Sequence, residues 1–208
     1  MSRWKKLTAI GLLLIAAALC ITAYNLWDSY RAGLAADAAL RQLAIAEPVP
    51  MPDAAEPDED PQEIEYPDYI LNPEMDMPTQ MINGNAYIGV LKFPTLNREL
   101  PVLSEWSYPL LKVAPCRYSG TAYMDNLVIA AHNYRKHFGP LSALHFGDSV
   151  SFTDMDGNEF LYEVQEVEVL QPTAIEEMTE SPYDLTLFTC TLGGQSRLAV
   201  RCEKVQDN

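Results

Sequence analysis

Positive charge is scarce in this sequence. Against 29 Asp and Glu stand 14 Lys and Arg, for a formal net charge of −15. A nucleic-acid binder needs a basic face to neutralise phosphates, so that class is excluded. Histidine is scarcer still, at three residues, and neither CxxC nor HExxH spacing occurs, so zinc chemistry lacks its ligands. There are four cysteines. Cys20 lies in an apolar run, and the other three, Cys116, Cys190 and Cys202, cannot all pair with one another, so at least one is read as free. A Cys116–Cys202 bridge would need Cα atoms within about 7 Å. Both are read instead as reduced, packed thiols. No internal repeat is present.

What is there falls into segments of different character. Residues 1–6 hold Arg3, Lys5 and Lys6 and read as a cytoplasmic tail. Leu7–Trp27 carries no charge and has the length of about 20 residues that spans a bilayer as a helix. Basic residues before it and Asp28 after it place the N-terminus in the cytoplasm and the remainder outside the cell. Tyr24, Trp27 and Tyr30 would then lie at the outer interface. A cleaved signal peptide would have a shorter apolar region, and the leucine before Cys20 fits lipoprotein processing poorly. Residues 28–46 are helix-permissive and read as an outward extension of the anchor. From Gln42 to Leu91 there is no Lys or Arg, while acids accumulate and prolines stand at 48, 50, 52, 57, 61, 67, 73 and 78. Residues 47–80 therefore read as an extended, disordered spacer, and 81–208 as the folded domain.

In that domain the pattern is strand-like. Strands are predicted over 87–93, 100–103, 127–131, 149–153, 159–170, 185–191 and 198–205, with a helical turn at 108–113. Asp156-Gly157 signals a hairpin turn. Thr173 and Glu176 form a capping-box pattern for a short helix over 173–178. Many short strands and little helix imply an all-β barrel or sandwich.

Three residues stand at strand ends. His132 ends LVIAAH, Cys190 ends LTLFTC and Arg197 begins RLAVRC. Period-two alternation with Leu185, Leu187, Leu198, Val200 and Cys202 inward puts Cys190 and Arg197 on the other face, across a short loop. Val128, Ala130 and His132 likewise share one face of their strand. A cysteine–histidine pair is the usual engine of acyl transfer. The nucleophile is the thiolate, imidazole moves a proton near neutral pH, and a guanidinium steadies a developing oxyanion.

Asp184–Arg197, DLTLFTCTLGGQSR, resembles the sortase signature, a strand of the form TLxTC, a loop, then an arginine opening the next strand. Asn126–His132, NLVIAAH, resembles the strand that ends in the sortase histidine. Phe138-Gly139-Pro140-Leu141 and Gly147-Asp148-Ser149-Val150 resemble the turn and strand entry that follow, and the likeness runs from about Ala86 to Val205. It implies an eight-stranded sortase-type β-barrel with short helices, preceded by the transmembrane helix and the linker. It implies a cysteine transpeptidase, a thiol protease of the hydrolase class. Such an enzyme cleaves an LPxTG-like sorting signal of a secreted protein through a thioester on Cys190. It then passes the protein to an amine of a peptidoglycan precursor or a pilin. His132 would shuttle the proton and Arg197 would hold the substrate backbone or oxyanion. Thr189, Ala131 and Phe188 would contact substrate. Ala131 stands where many sortases have Gly, and the 191–196 loop is short. The spacing is nearer the class B and D branches, since no lid motif precedes the barrel.

Other readings are weaker. His137 and His145 end no apolar strand and read as surface residues. No cofactor is expected. Asp154, Asp156, Asn158 and Glu159 leave room for calcium, but their glycine comes too early for an EF-hand and the hairpin turn explains them. The Ser-His-Gly-Cys context of an L,D-transpeptidase is absent. A non-catalytic envelope module that binds a sorting peptide or scaffolds pili is the alternative from another class.

Overall fold

The computed structural model describes residues 3–45 and 66–205. Residues 46–65, with most of the acidic run, lie outside the described residues, and so does the reading of them as a disordered spacer.

The first element is one unbroken helix, α1 (Arg3–Leu40). Among the described residues it is the one helix long and apolar enough to cross a membrane, and the window that meets that test is wholly unburied. Its second half differs. Asp28, Ala32, Ala36 and Ala39 recur at helical spacing and are buried against the rest of the chain. Lys136 Nζ reaches Asp37 at 3.5 Å. A Cβ on Gly33 would lie 2.5 Å from the Lys136 side chain, so glycine permits this approach.

Among the described residues there follow α2 (Asp68–Leu71) and nine strands: β1 (Gln80–Ile82), β2 (Asn85–Phe93), β3 (Arg98–Leu103), β4 (Cys116–Ser119), β5 (Leu127–Ala131), β6 (Ser149–Asp154), β7 (Glu159–Leu170), β8 (Leu185–Cys190) and β9 (Arg197–Lys204). The sheet order is β1-β2-β3-β4-β5-β8-β9-β7-β6, and β6 also pairs with β2. Strands β2 to β9 thus close an eight-stranded barrel, and β1 is an extra hairpin strand on β2. Gly89 lies at the closure, where a Cβ would come 2.2 Å from the Thr153 carbonyl oxygen of β6.

The alternation expected on β5, β8 and β9 holds. Leu127, Ile129, Ala131, Leu185, Leu187, Val200 and Cys202 enter the barrel interior. Val128, Ala130, Phe188 and Ala199 enter a second cluster outside the wall. That outer layer is also buried. Leu111 of the 3-10 turn Leu110–Lys112, Met178 of α3 (Ile175–Thr179) and Ala39 of α1 cover it. Burial on both faces explains why β5 reads as a continuous apolar run. Each wholly buried Leu or Ile contributes about 1.5–3 kcal/mol.

Some boundaries differ from expectation. β1 and β4 went unpredicted, being three and four residues long. α3 starts at Ile175 with Ala174 as its N-cap and no side-chain cap, so the Thr173 capping box does not form. The packed chain also reaches upstream of residue 81. Tyr69 stacks on Tyr123 at 4.8 Å, and Met77 belongs to the interior cluster. Prolines 67, 73 and 78 punctuate this segment without preventing its apolar side chains from docking.

Candidate active site

β5 and β8 run parallel, with Ala131 opposite Thr189. The next residues, His132 and Cys190, therefore leave neighbouring strands at the same level. Thr189 fixes that register, since its buried hydroxyl donates to the Ala131 carbonyl at 2.8 Å. On the other side β8 pairs antiparallel with β9, and Cys190 is opposite Arg197. Sequence alternation alone could not show this coincidence, because it needs the strand order.

The loop between β8 and β9 is tied shut. The Thr191 amide donates to the Ser196 carbonyl at 3.0 Å, and the two hydroxyls lie 3.0 Å apart. Gly193 and Gly194 supply the positive φ of 87° and 72° that so short a loop requires. Arg197 folds back on it. One guanidinium nitrogen donates to the Gly194 and Ser196 carbonyls at 3.3 and 3.2 Å.

Cys190 is half-buried and lines a cavity of about 650 Å³. The cavity is also lined by Thr189, Thr191, Leu192 and Leu198 from β8, β9 and the loop between them, and by Arg98, Asn133, Arg135, Gly139, Pro140 and Ser142. Leu192 is 95% exposed at the rim. Of the expected substrate contacts, Thr189 lines this space. Ala131 points into the barrel interior, and Phe188 is packed outside the wall, edge-on to Tyr118 at 5.2 Å. Neither is among the cavity-lining residues. Arg98, Asn133 and Arg135 were missed. The one available signal was the cluster of polar residues following His132, since the place of Arg98 depends on barrel closure.

The histidine ring has its own surroundings. It lies 4.9 Å from the Tyr134 ring, which lies 5.5 Å from His137. The Tyr134 hydroxyl donates to the Asp28 carboxylate of α1 at 2.5 Å, and Arg31 donates to the same carboxylate at 3.1 Å. Burial, and then the Lys112 cation, hold the His132 imidazole below its ordinary pKa, while Asp28 acts the other way. Its neutral form is thus favoured near pH 7. His137 corrects an expectation. It is buried rather than on the surface, and burial pulls it down to about 4. The Ala32 carbonyl is close enough to favour its protonated form slightly, without a well-formed hydrogen bond.

Cys116 and Cys202 are free and fully buried, in the outer and the interior cluster respectively. Opposite sides of the wall keep them from pairing. Burial pushes the Cys116 thiol up to about 12 and raises Cys202 as well. Asp154 is engaged in a turn. It accepts hydrogen bonds from the Tyr123 hydroxyl and from the backbone amides of Asp156 and Asn158. Among the described residues no group of three or more His, Cys, Asp and Glu is placed to hold a metal ion.

The family model of the sortase domain matches residues 91–205. No curated protein matches the sequence. Three solved structures give the scale of the structural likeness. A Clostridium perfringens sortase C, described with a C-terminal cell wall sorting motif, has a TM-score of 0.52 and 26% identity, covering 62% of this chain and 78% of that one. Sortase C1 of pilus island 1 from group B Streptococcus has a TM-score of 0.52 and 23% identity, covering 59% and 66%. A Clostridium perfringens sortase D5 transpeptidase has a TM-score of 0.51 and 21% identity, covering 61% and 83%. The two sortase C structures and the sortase D5 structure have TM-scores of 0.52 and 0.51, so the expected B/D branch is not confirmed. The domain match covers more than half of the sequence and the barrel is the same: this chain belongs to the sortase family.

Proposed function

We propose that the chain is a membrane-anchored cysteine transpeptidase in which Cys190, His132 and Arg197 carry the chemistry. The observation that carries this reading is the half-buried Cys190 at the end of β8, lining a cavity, with Arg197 opposite it on β9 and His132 directly after the end of β5. An extended peptide with an LPxTG-like sorting signal enters the cavity. The Cys190 sulfur bonds to the scissile carbonyl carbon, and the thiol proton passes to the neutral imidazole of His132. The tetrahedral oxyanion is steadied by a guanidinium N–H of Arg197, which turns from the Gly194 and Ser196 carbonyls toward it. The intermediate collapses to a thioester as the C–N bond breaks and His132 returns its proton to the departing amine. An acceptor amine, from a peptidoglycan precursor or a pilin, then attacks the thioester. It gives its proton to His132, and the sulfur leaves. An amide replaces the thioester and the thiol is regenerated.

In this reading Leu7–Trp27 spans the membrane with the N-terminus inside, and the barrel stands outside. The test uses the full chain in neutral detergent, incubated with a panel of sorting-signal peptides with and without amines. Intact-mass measurement is expected to find the acyl adduct on Cys190, released as an amide when amine is added. A barrel that binds peptide equally well as Cys190→Ala and never turns it over would be a binding module instead.

A further inference from the structure

Arg98 and Arg135 line the cavity of Cys190, and they also line a second hollow of about 350 Å³. That hollow is completed by Lys136 and, from α1, by Leu26, Ser29 and Tyr30. Three cations thus meet the anchor where its apolar run ends. With about 1.5 Å rise per residue, Leu7–Trp27 covers about the 30 Å of a hydrocarbon core. Exposed Tyr24, Trp27 and Tyr30 mark the level of the lipid head groups. The hollow opens at that level.

The cations there are under-used. Among the described residues, neither Arg98 nor Arg135 forms an ion pair, while Lys136 is paired with Asp37. Arg98 donates to the Lys136 carbonyl at 3.0 Å, and its Nε is buried without a partner. A concentration of guanidinium groups is unexpected in a chain of net charge −15, which an anionic membrane surface repels as a whole. Guanidinium forks match phosphate oxygens, and lipid phosphates are the anions held at this depth.

We propose that this hollow binds the phosphate head group of an anionic membrane lipid, clamped by Arg98 and Arg135 against α1 where its apolar run ends. The inference rests on α1 being the membrane anchor, but not on the chemistry of Cys190. A bound lipid holds the barrel's basic side to the bilayer. Because the two arginines are shared, it also fixes the height and orientation of the cavity mouth above the surface.

The test uses the full chain as Cys190→Ala, which cannot turn over, in bilayer nanodiscs, so its outcome is separable from that of the transpeptidase reading. Spin-labelled phosphatidylglycerol and phosphatidylcholine report selective association by the immobilised fraction of their spectra. The glycerol lipid is expected to be preferred, and Arg98→Gln or Arg135→Gln to lower that preference by roughly fivefold each, the worth of one cation at a membrane surface. Arg135→Lys, which keeps the charge and loses the fork, should retain only part of it. Lys204→Gln, the same charge change at a residue paired with Asp125, should leave it unchanged. Equal preference for the two lipids in the unsubstituted hollow, or an equal loss with Lys204→Gln, overturns the proposal. Two further results also overturn it. Inorganic diphosphate that binds the detergent-solubilised chain through these arginines, without any lipid preference, assigns the hollow to a soluble phosphate. A preference that emerges only when Asp58, Glu59 and Asp60 are neutralised assigns it to the chain's own acidic segment.

Discussion

The β8–β9 ladder carries a cysteine at each end, and the two ends behave as different chemical environments. At one end Cys202 is opposite Leu185, with no exposure, in the barrel interior. At the other Cys190 is opposite Arg197, half-buried on a cavity wall. Residue type is the same. What differs is which side of the pleat the sulfur takes and whether water and a peptide can reach it. A thiolate in the interior has neither solvent nor a cation, so burial raises that thiol and leaves it inert. Alternation keeps Cys202 out of reach, but the outer face alone does not expose a thiol, since Cys116 lies there and is buried as well; Cys190 differs in standing at the strand end, on a cavity.

The largest effect expected from this contrast is on turnover. Cys190→Ala should reduce thioester formation and amide transfer to background, while thermal melting is nearly unchanged. Cys202→Ala should do the reverse, costing about 1–2 kcal/mol through the cavity it leaves, with transfer per folded molecule retained. Peptide assays beside melts of both variants decide it, and equal activity loss in the two would erase the distinction. Next in size is the histidine one strand away. His132→Gln should lower kcat by about 10²–10⁴-fold, the range for a lost general acid–base. His145→Gln should leave kcat within twofold. A measured inversion of that order would move the proton shuttle elsewhere.

How much of this was legible in the sequence follows from the same geometry. β5 and β7 were readable to the residue, because a five-residue apolar run and a twelve-residue strand after Asp-Gly leave little choice of register. Cys190, His132 and Arg197 could be singled out from strand ends and a family likeness. Their common level could not, since Cys190↔Arg197 and Ala131↔Thr189 are properties of the strand order. Arg98 reaches the cavity through barrel closure, which leaves no trace in local pattern. Phe188 was placed on the correct face, and the second apolar layer that covers that face could not be read from its own strand. His137 failed as a surface reading because α1 returns to bury it, a contact between segments about a hundred residues apart. Tyr69 and Met77 were hidden by their acidic, Pro-rich neighbourhood.

The rim and the interior should also separate under acid. His137 titrates at about 4 against an ordinary 6.5, so the unfolded chain binds more protons between those values and stability rises with pH across them. Stability from this group is complete above pH 6.5 and is lost as pH falls toward 4, by roughly 3 kcal/mol. Melts of the full chain at pH 7 and pH 4.5 are expected to show the loss, and His137→Gln should flatten it. An unchanged slope in that variant would place the acid sensitivity in other groups.

The smallest effects expected concern the charges around His132, and they have opposite signs. Its imidazole is held below the ordinary pKa by burial first and Lys112 second, while Asp28, reached through Tyr134, favours protonation. The acid limb of kcat/KM should therefore fall below pH 6.5, where His132 gains a proton. Lys112→Gln removes a repelling cation, so the limb should move up. Asp28→Asn removes an attracting anion, so the limb should move down. Each shift is expected to be a fraction of a pH unit, because water screens the exposed Lys112 and the Asp28 carboxylate is already engaged by Tyr134 and Arg31. Reading both variants matters because a merely structural loss in the docked half of α1 would lower the rate at all pH values without moving the limb. Two limbs displaced in the same direction would mean that the helix acts by position alone.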